Sequence, residues 1–190
     1  MVVMDSTQKL SEKDKDYIIK LAKRSIEYYA EKHEILEVDV PARLKKKRAT
    51  FVTVYLNKKL RGCIGMLHAV NPLYKDVISN SVAAAFHDDR FPPLTQEELK
   101  HLKIEISILS RPEKIDFSSP EDILSKVTKQ DGIILTKGHQ NATFLPKVWE
   151  SFSSKEAFFS HLCMKAGLEP DEWKRPSITV FKYSTEVFSG

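Results

Sequence analysis

The sequence predicts an α+β fold with a largely antiparallel sheet, and three features carry that reading. Strand-like and helix-like stretches are interspersed without a regular βαβ alternation. Two pairs of apolar, alternating segments are each joined by a short turn, as hairpins require. Residues 102–110 alternate strictly, with Leu102, Ile104, Ile106 and Ile108 on one face and Lys103, Glu105, Ser107 and Leu109 on the other.

Each element has its own local signal. Ser11, with Asp14 three residues on, makes a capping arrangement, and Ile18, Leu21, Ala22, Ser25, Ile26 and Tyr29 follow at helical spacing. A helix over residues 12–34 is expected, with its lysines and glutamates on the solvated face. Pro41 and the run Arg43-Leu44-Lys45-Lys46-Lys47-Arg48 read as a connection, either a solvated linker or a patch for a polyanion. Phe51 to Leu56 alternates and is β-branched, Asn57 to Lys59 turns, and Leu60-Arg61-Gly62-Cys63-Ile64-Gly65 returns as the second strand. Asn71-Pro72 signals a helix start, and Leu73, Val77, Ile78, Ser81, Val82, Ala84 and Ala85 give that helix a small-residue face suited to close packing on a sheet. Pro92 and Pro93 end it in extended backbone, and Thr95 with Glu98 caps a further short helix.

After the alternating strand, Ser119-Pro120-Glu121-Asp122 starts a helix to about Val127. Residues 132–136 and 142–145 form the second hairpin. Ser153 with Glu156 caps a helix carrying Phe158, Phe159, Leu162 and Cys163, and Gly167 stops it. Residues 177–181 make a last strand.

Length and composition set the class. At 190 residues, 42% hydrophobic and 29% charged, the chain can bury a core as one domain, 1–190, or as one large and one small lobe sharing that core. A net charge of +4 is too weak to argue for nucleic acid. No signal peptide is recognisable at the N-terminus, and no run reaches ~18 apolar residues, so a cytoplasmic protein with no membrane span and with free thiols at Cys63 and Cys163 is expected.

The stretch 60–65 is where chemistry is most plainly signalled. In a strand Arg61 and Cys63 share a face, Gly65 leaves room beside them, and a guanidinium next to a thiol favours the reactive thiolate. The alternative is a small buried cysteine whose glycines mark a bulge or tight packing. A nucleophile needs a base. His68, His87, His101, His139 and His161 are available, His87 standing out beside Asp88 and Asp89, and Glu105 faces away from the isoleucines as a second candidate. With no CxxC, HExxH, GxGxxG or P-loop, a site without metal or cofactor is the default.

Taken together, Leu60 to Gly65, residues 83–94 with the run Arg90-Phe91-Pro92-Pro93-Leu94, Glu105-Ile106-Ser107, and Ala142 to Glu150 resemble the AMMECR domain family in its prokaryotic, archaeal-type form. The resemblance spans nearly the whole chain. It implies two unequal lobes, an antiparallel sheet surrounded by helices plus a smaller part, with a cleft between them. It names a site better than a reaction, and it implies a functional link to Memo-like and radical-SAM proteins.

Two functions are therefore weighed. In the first, an enzyme acts through Cys63 as nucleophile with Glu105 nearby, while Arg61, Gly62, Gly65, Asp88 and Arg90 bind an unknown small molecule, Arg61 taking an anionic group. In the second, the same stretch belongs to a non-catalytic binding or regulatory module for a partner protein, a peptide or a nucleic acid.

Overall fold

The computed structural model describes residues 9–190, and the chain divides into two compact units. The first runs to Ser110 and takes back Glu186–Gly190, and the second is Arg111–Thr185.

The first unit opens with α1, Glu12–Lys32. The Ser11 hydroxyl accepts from the Asp14 backbone N–H at 3.2 Å, and the helix ends where His33 turns left-handed at φ 56°. Its buried stripe is the expected one, Ile18, Leu21, Ala22, Ser25 and Ile26. Strands β1 (Ala49–Leu56) and β2 (Lys59–Gly65) form a hairpin closed by Asn57 and Lys58, both at positive φ as a tight two-residue turn demands. Helix α2, Leu73–Phe86, follows. Pro72 is extended and precedes the first turn, so the helix starts at Leu73, and the Pro72 carbonyl accepts from the Asp76 N–H. Thr95 and Glu98 exchange their capping hydrogen bonds, but what they cap is a single 3₁₀ turn, Glu98–His101. Strand β3, Leu102–Leu109, completes the alternating segment.

Strand β8, Thr185–Ser189, joins this sheet in the antiparallel order β2-β1-β3-β8. One face of the sheet carries Val52, Val54, Ile104, Ile106 and Ile108 into a core shared with Ile18 and Ile26 of α1 and Val77 and Ile78 of α2. Burial of that apolar surface is the main force holding the unit together. The backbone of α2 comes so close to β2 that a Cβ on Gly62 would stand 1.9 Å from the Ala84 carbonyl oxygen. At that position only glycine lets helix and strand meet.

The second unit contains β4 (Glu113–Ile115), α3 (Pro120–Lys126), β5 (Gly132–Lys137), β6 (Gln140–Phe144), α4 (Lys155–Lys165) and β7 (Thr179–Tyr183). Its sheet has the order β4-β7-β5-β6, and Trp149, Phe158, Phe159, Leu162, Cys163 and Trp173 form its core. The α4 cap is Ser154 rather than Ser153, its hydroxyl accepting from the Ala157 N–H. At the other end Gly167, φ +73°, closes a Schellman arrangement in which the Leu168 N–H donates to the Cys163 carbonyl and the Gly167 N–H to that of Met164. The last strand of this unit runs two residues later than its sequence pattern indicates, over 179–183 rather than 177–181. Both units are mixed and antiparallel, so the fold is α+β.

Candidate functional site

The site lies on the face of the first sheet that points away from the isoleucines. Thr53 is opposite Cys63 on one side and opposite Glu105 on the other. Three strands therefore place Cys63, Thr53 and Glu105 in one row. Period-two alternation sets their common face, and the antiparallel register sets their alignment. Thr53 Oγ1 and Cys63 Sγ share a hydrogen bond at 3.2 Å, and Tyr55, next along the same face of β1, donates its phenol hydrogen to Glu105 Oε1 at 3.2 Å. Cys63, Glu105 and Tyr55 are half-buried.

The loop after α2 closes the outer edge of β2. Cys63 has its backbone groups turned away from β1, where a further strand would pair. Its N–H instead donates to Asp88 Oδ2 at 2.8 Å, and its carbonyl accepts from Arg90 Nη2 at 3.1 Å. Asp88 and Arg90 are joined to each other by Nε to Oδ1 at 2.9 Å and Nη2 to Oδ2 at 2.7 Å. This fork-to-fork pair takes the place of a neighbouring strand residue and blunts an otherwise open edge. The Asp88 carboxylate, 4% exposed, is held down to about 2, first by its hydrogen bonds from Arg90, with the Cys63 and Arg90 backbone N–H groups adding to that effect.

Arg61 goes elsewhere. The register passes from Val54 opposite Gly62 to Tyr55 opposite Leu60, which leaves Arg61 as the extra residue of a β-bulge. Its guanidinium forms a two-pronged pair with Glu98, at 2.9 and 3.1 Å, and donates to the carbonyls of Pro92 and Pro93. The anion that Arg61 holds is thus the protein's own Glu98, and the guanidinium that acts on the thiol is that of Arg90. The alternation that puts residues two apart on one face does not carry across a bulge, which is why sequence spacing pairs Arg61 with Cys63 and the fold does not. Gly65 leaves no space beside the thiol either, since a Cβ there would stand 2.3 Å from the Phe51 ring and 2.4 Å from the Thr50 carbonyl oxygen.

These surroundings decide the state of the thiol. Burial pushes the Cys63 thiol up, the Thr53 hydroxyl and the Arg90 guanidinium pull the other way, and the Asp88 and Glu105 carboxylates add to the upward push. Arg90 is largely committed to Asp88. His87, the most suggestive histidine in the sequence, is exposed and shares a 3.1 Å hydrogen bond from Nε2 with the Tyr29 hydroxyl of α1. Among the described residues no group of three or more His, Cys, Asp or Glu side chains is arranged to hold a metal. Thr53, Tyr55 and Glu98 are site residues that motif reading passes over. The alternation of β1 does signal Thr53 and Tyr55, because both fall opposite Val52 and Val54.

The basic run is also used internally. Arg43 Nε pairs with Asp14 at 2.6 Å, Lys45 pairs with Asp39 at 2.8 Å, and Leu44 is wholly buried. No helix among the described residues is long and apolar enough to cross a membrane.

A family model described as AMMECR1 matches residues 19–188, a span that holds all of the residues above except Asp14. The chain belongs to the AMMECR1 family. A protein of Thermofilum pendens is 34% identical to it, covering 95% of this chain and 91% of its own length. A Methanopyrus kandleri protein is also 34% identical, over 95% of this chain and 90% of its own. The crystal structure of uncharacterized protein PH0010 from Pyrococcus horikoshii superposes with a TM-score of 0.89 at 34% identity, covering 96% of this chain and 94% of that one. The AMMECR1 fold is thus found in an experimental structure, and the two-sheet α+β architecture agrees with it.

Proposed function

We propose that this AMMECR1-family chain is a binding module rather than a thiol enzyme. Its ligand-contacting surface is the row Cys63, Thr53 and Glu105, flanked by Tyr55 and Arg90, and its ligand is a small polar molecule or a peptide segment. The reading rests on the setting of Cys63. The thiol is half-buried, it shares a hydrogen bond with the Thr53 hydroxyl in which either atom can donate, and among the described residues no histidine is its hydrogen-bond partner. A nucleophilic cysteine is held as thiolate by a base or an uncommitted cation, and here burial acts in the opposite direction. Two free cysteines fit a cytoplasmic setting. An enzymatic reading is favoured by one observation, that the Arg90 guanidinium acts on the thiol in the direction of the thiolate.

Alkylation by iodoacetamide as a function of pH separates the two. For the binding module, the Cys63 rate keeps rising with pH beyond about 8.5, the ordinary thiol value, while Cys163, wholly buried, reacts only on unfolding. A rate that levels off below about pH 7 would show a resting thiolate and return the protein to the enzymes.

A further inference from the structure

In the first unit, residues 35–40 lead from the end of α1 to the 3₁₀ turn Ala42–Lys45 without forming a helix or a turn of their own. Their burial alternates. Leu36 and Val40 are 5% and 4% exposed and join the core, Val38 is half-buried, and Ile35, Glu37 and Asp39 face outward. A period of two is that of extended chain, and Pro41 favours the same conformation at Val40 before it. The segment thus has the pattern of a strand, yet it pairs with no strand among the described residues. Nor does any backbone N–H or carbonyl of residues 35–39 take part in a hydrogen bond among those residues. Native chains seldom leave a run of backbone donors and acceptors unused, and they cover strand edges that are to stay unpaired. Asp88 and Arg90 give β2 such a cover, whereas the donors and acceptors of residues 35–39 stand open.

A groove of ≈ 360 Å³ runs beside this segment, with residues 35–38 as one wall and Tyr74, Lys75, Ile78 and Ser79 of α2 as the other. Ile78 is buried, Tyr74 is half-buried, and Ile35 is 51% exposed. An apolar side chain entering the groove therefore meets an apolar bed, while the chain that carries it runs along the open backbone. We propose that residues 35–39 dock an extended segment of another protein, which pairs with them as an added strand and places apolar side chains in the groove. Charge selects the occupant. Glu37 faces outward and has no hydrogen-bond or ion-pair partner among the described residues, so a lysine or arginine directly opposite it is favoured. The neighbours of that residue point inward, beside Leu36 and Val38, and are the apolar ones. Lys75, exposed on the far wall and also without a partner among the described residues, opposes further positive charge, so one basic residue between two apolar ones is the pattern that fits. A second copy of this chain fits poorly. Antiparallel self-pairing centred on Glu37 sets Glu37 against Glu37, and pairing centred between Leu36 and Glu37 sets Glu34 against Asp39. The inference goes beyond the binding reading of the Cys63 row and does not depend on it, since no residue is shared.

The test titrates the full chain with two synthetic peptides, acetyl-Thr-Val-Lys-Val-Thr-amide and the same peptide with glutamate in place of lysine, and follows proton–nitrogen NMR and amide exchange. In the free chain the N–H groups of residues 35–39 should exchange about as fast as those of an unstructured peptide. The lysine peptide should give saturable shifts at residues 35–39 and 74–79 and slow the exchange of alternate N–H groups within 35–39, which is the mark of a ladder and not of side-chain contact alone. The glutamate peptide should bind about five-fold more weakly, and Glu37→Lys should reverse the order of the two. Ser79→Tyr, at an exposed position of the α2 wall, should fill the groove and abolish binding of both peptides with unfolding unchanged. Slow exchange of residues 35–39 in the free chain, the absence of saturable shifts with either peptide, binding without slowed exchange, or a charge preference that Glu37→Lys leaves as it was would overturn the proposal. Self-association of the chain through residues 35–39 would also overturn it, in favour of a second copy.

Discussion

Replacing Asp88 by Asn tests the strand-like closure of the β2 edge most directly. The carboxylate serves four donors, with Oδ2 facing the Cys63 N–H and Arg90 Nη2, and Oδ1 facing the Arg90 N–H and Nε. An amide of the same shape has one acceptor oxygen, so it can satisfy one of these two sets and must turn its NH₂ towards the other. The magnitude follows from linkage. The carboxyl falls from an ordinary 3.8 to about 2, and at about 1.4 kcal/mol per pKa unit this corresponds to about 2.4 kcal/mol. Because the Arg90 side chain is 57% exposed, solvent screening reduces the expected loss to about 2 kcal/mol. A group with a depressed folded pKa contributes its stability above its unfolded pKa and loses it as pH falls towards the folded one. The wild-type advantage should accordingly be complete at pH 7, about half as large at pH 3, and gone below about pH 2. Urea unfolding of both proteins at matched pH values measures the difference and removes the acid sensitivity they share. Equal stability at pH 7, or a difference that stays constant between pH 7 and pH 3, would refute the account of Asp88 as the charged partner of the edge.

Other substitutions probe the packing. Gly62→Ala should cost more than about 3 kcal/mol in thermal or urea unfolding, because both atoms in conflict are held by backbone, the new Cβ standing 1.9 Å from the Ala84 carbonyl oxygen. Gly138→Ala, with open space around it but φ at +58°, should cost about 1 kcal/mol from backbone strain alone. Ser154→Ala should lower stability by about 1 kcal/mol through loss of the α4 cap, with Ser153→Ala close to neutral. Equal effects at the two serines would place the cap elsewhere.

Local signals reached most of the fold, and long-range ones did not. Ser11, Ser119 and Thr95 each accept a backbone N–H three residues on, so the caps show in the sequence as short spacings. The hairpins and the alternation of β3 are equally local. Strand β8 is different: it pairs with β3 from the far end of the chain, Ile104 and Gly190 exchanging both backbone hydrogen bonds, and its own five residues carry no clear alternation in burial. At the site, Cys63 and Glu105 are legible as members of one face, while the bulge that diverts Arg61 depends on register between strands. The reach of Arg90 to the Cys63 carbonyl spans 27 positions, and a loop following a helix fixes no such contact in advance. The same holds for Arg43, whose partner Asp14 is 29 positions away.

The residue choices in Leu60 to Gly65 can now be separated by cause. Gly62 is required by the Ala84 carbonyl and Gly65 by the Phe51 ring and the Thr50 carbonyl. Arg61 is required by Glu98 and two proline carbonyls, which it ties to the strand. Ile64 packs against the core of the first unit. The backbone of Cys63 is required too, by Asp88 and Arg90, but a backbone contact is indifferent to the side chain. Among the described residues only one hydrogen bond involves the thiol itself, that shared with Thr53, and a serine hydroxyl can make that bond at least as well. Packing and internal hydrogen bonding thus account for every distinctive residue of the stretch except the sulfur of Cys63. A weak, soft donor at the end of a polar row, beside a half-exposed guanidinium, is what remains for a ligand to meet. Cys63→Ser should therefore leave unfolding within about 0.5 kcal/mol of wild type. A larger loss would mean that the sulfur is there for packing after all, and that the row Cys63, Thr53 and Glu105 serves the fold before it serves a ligand.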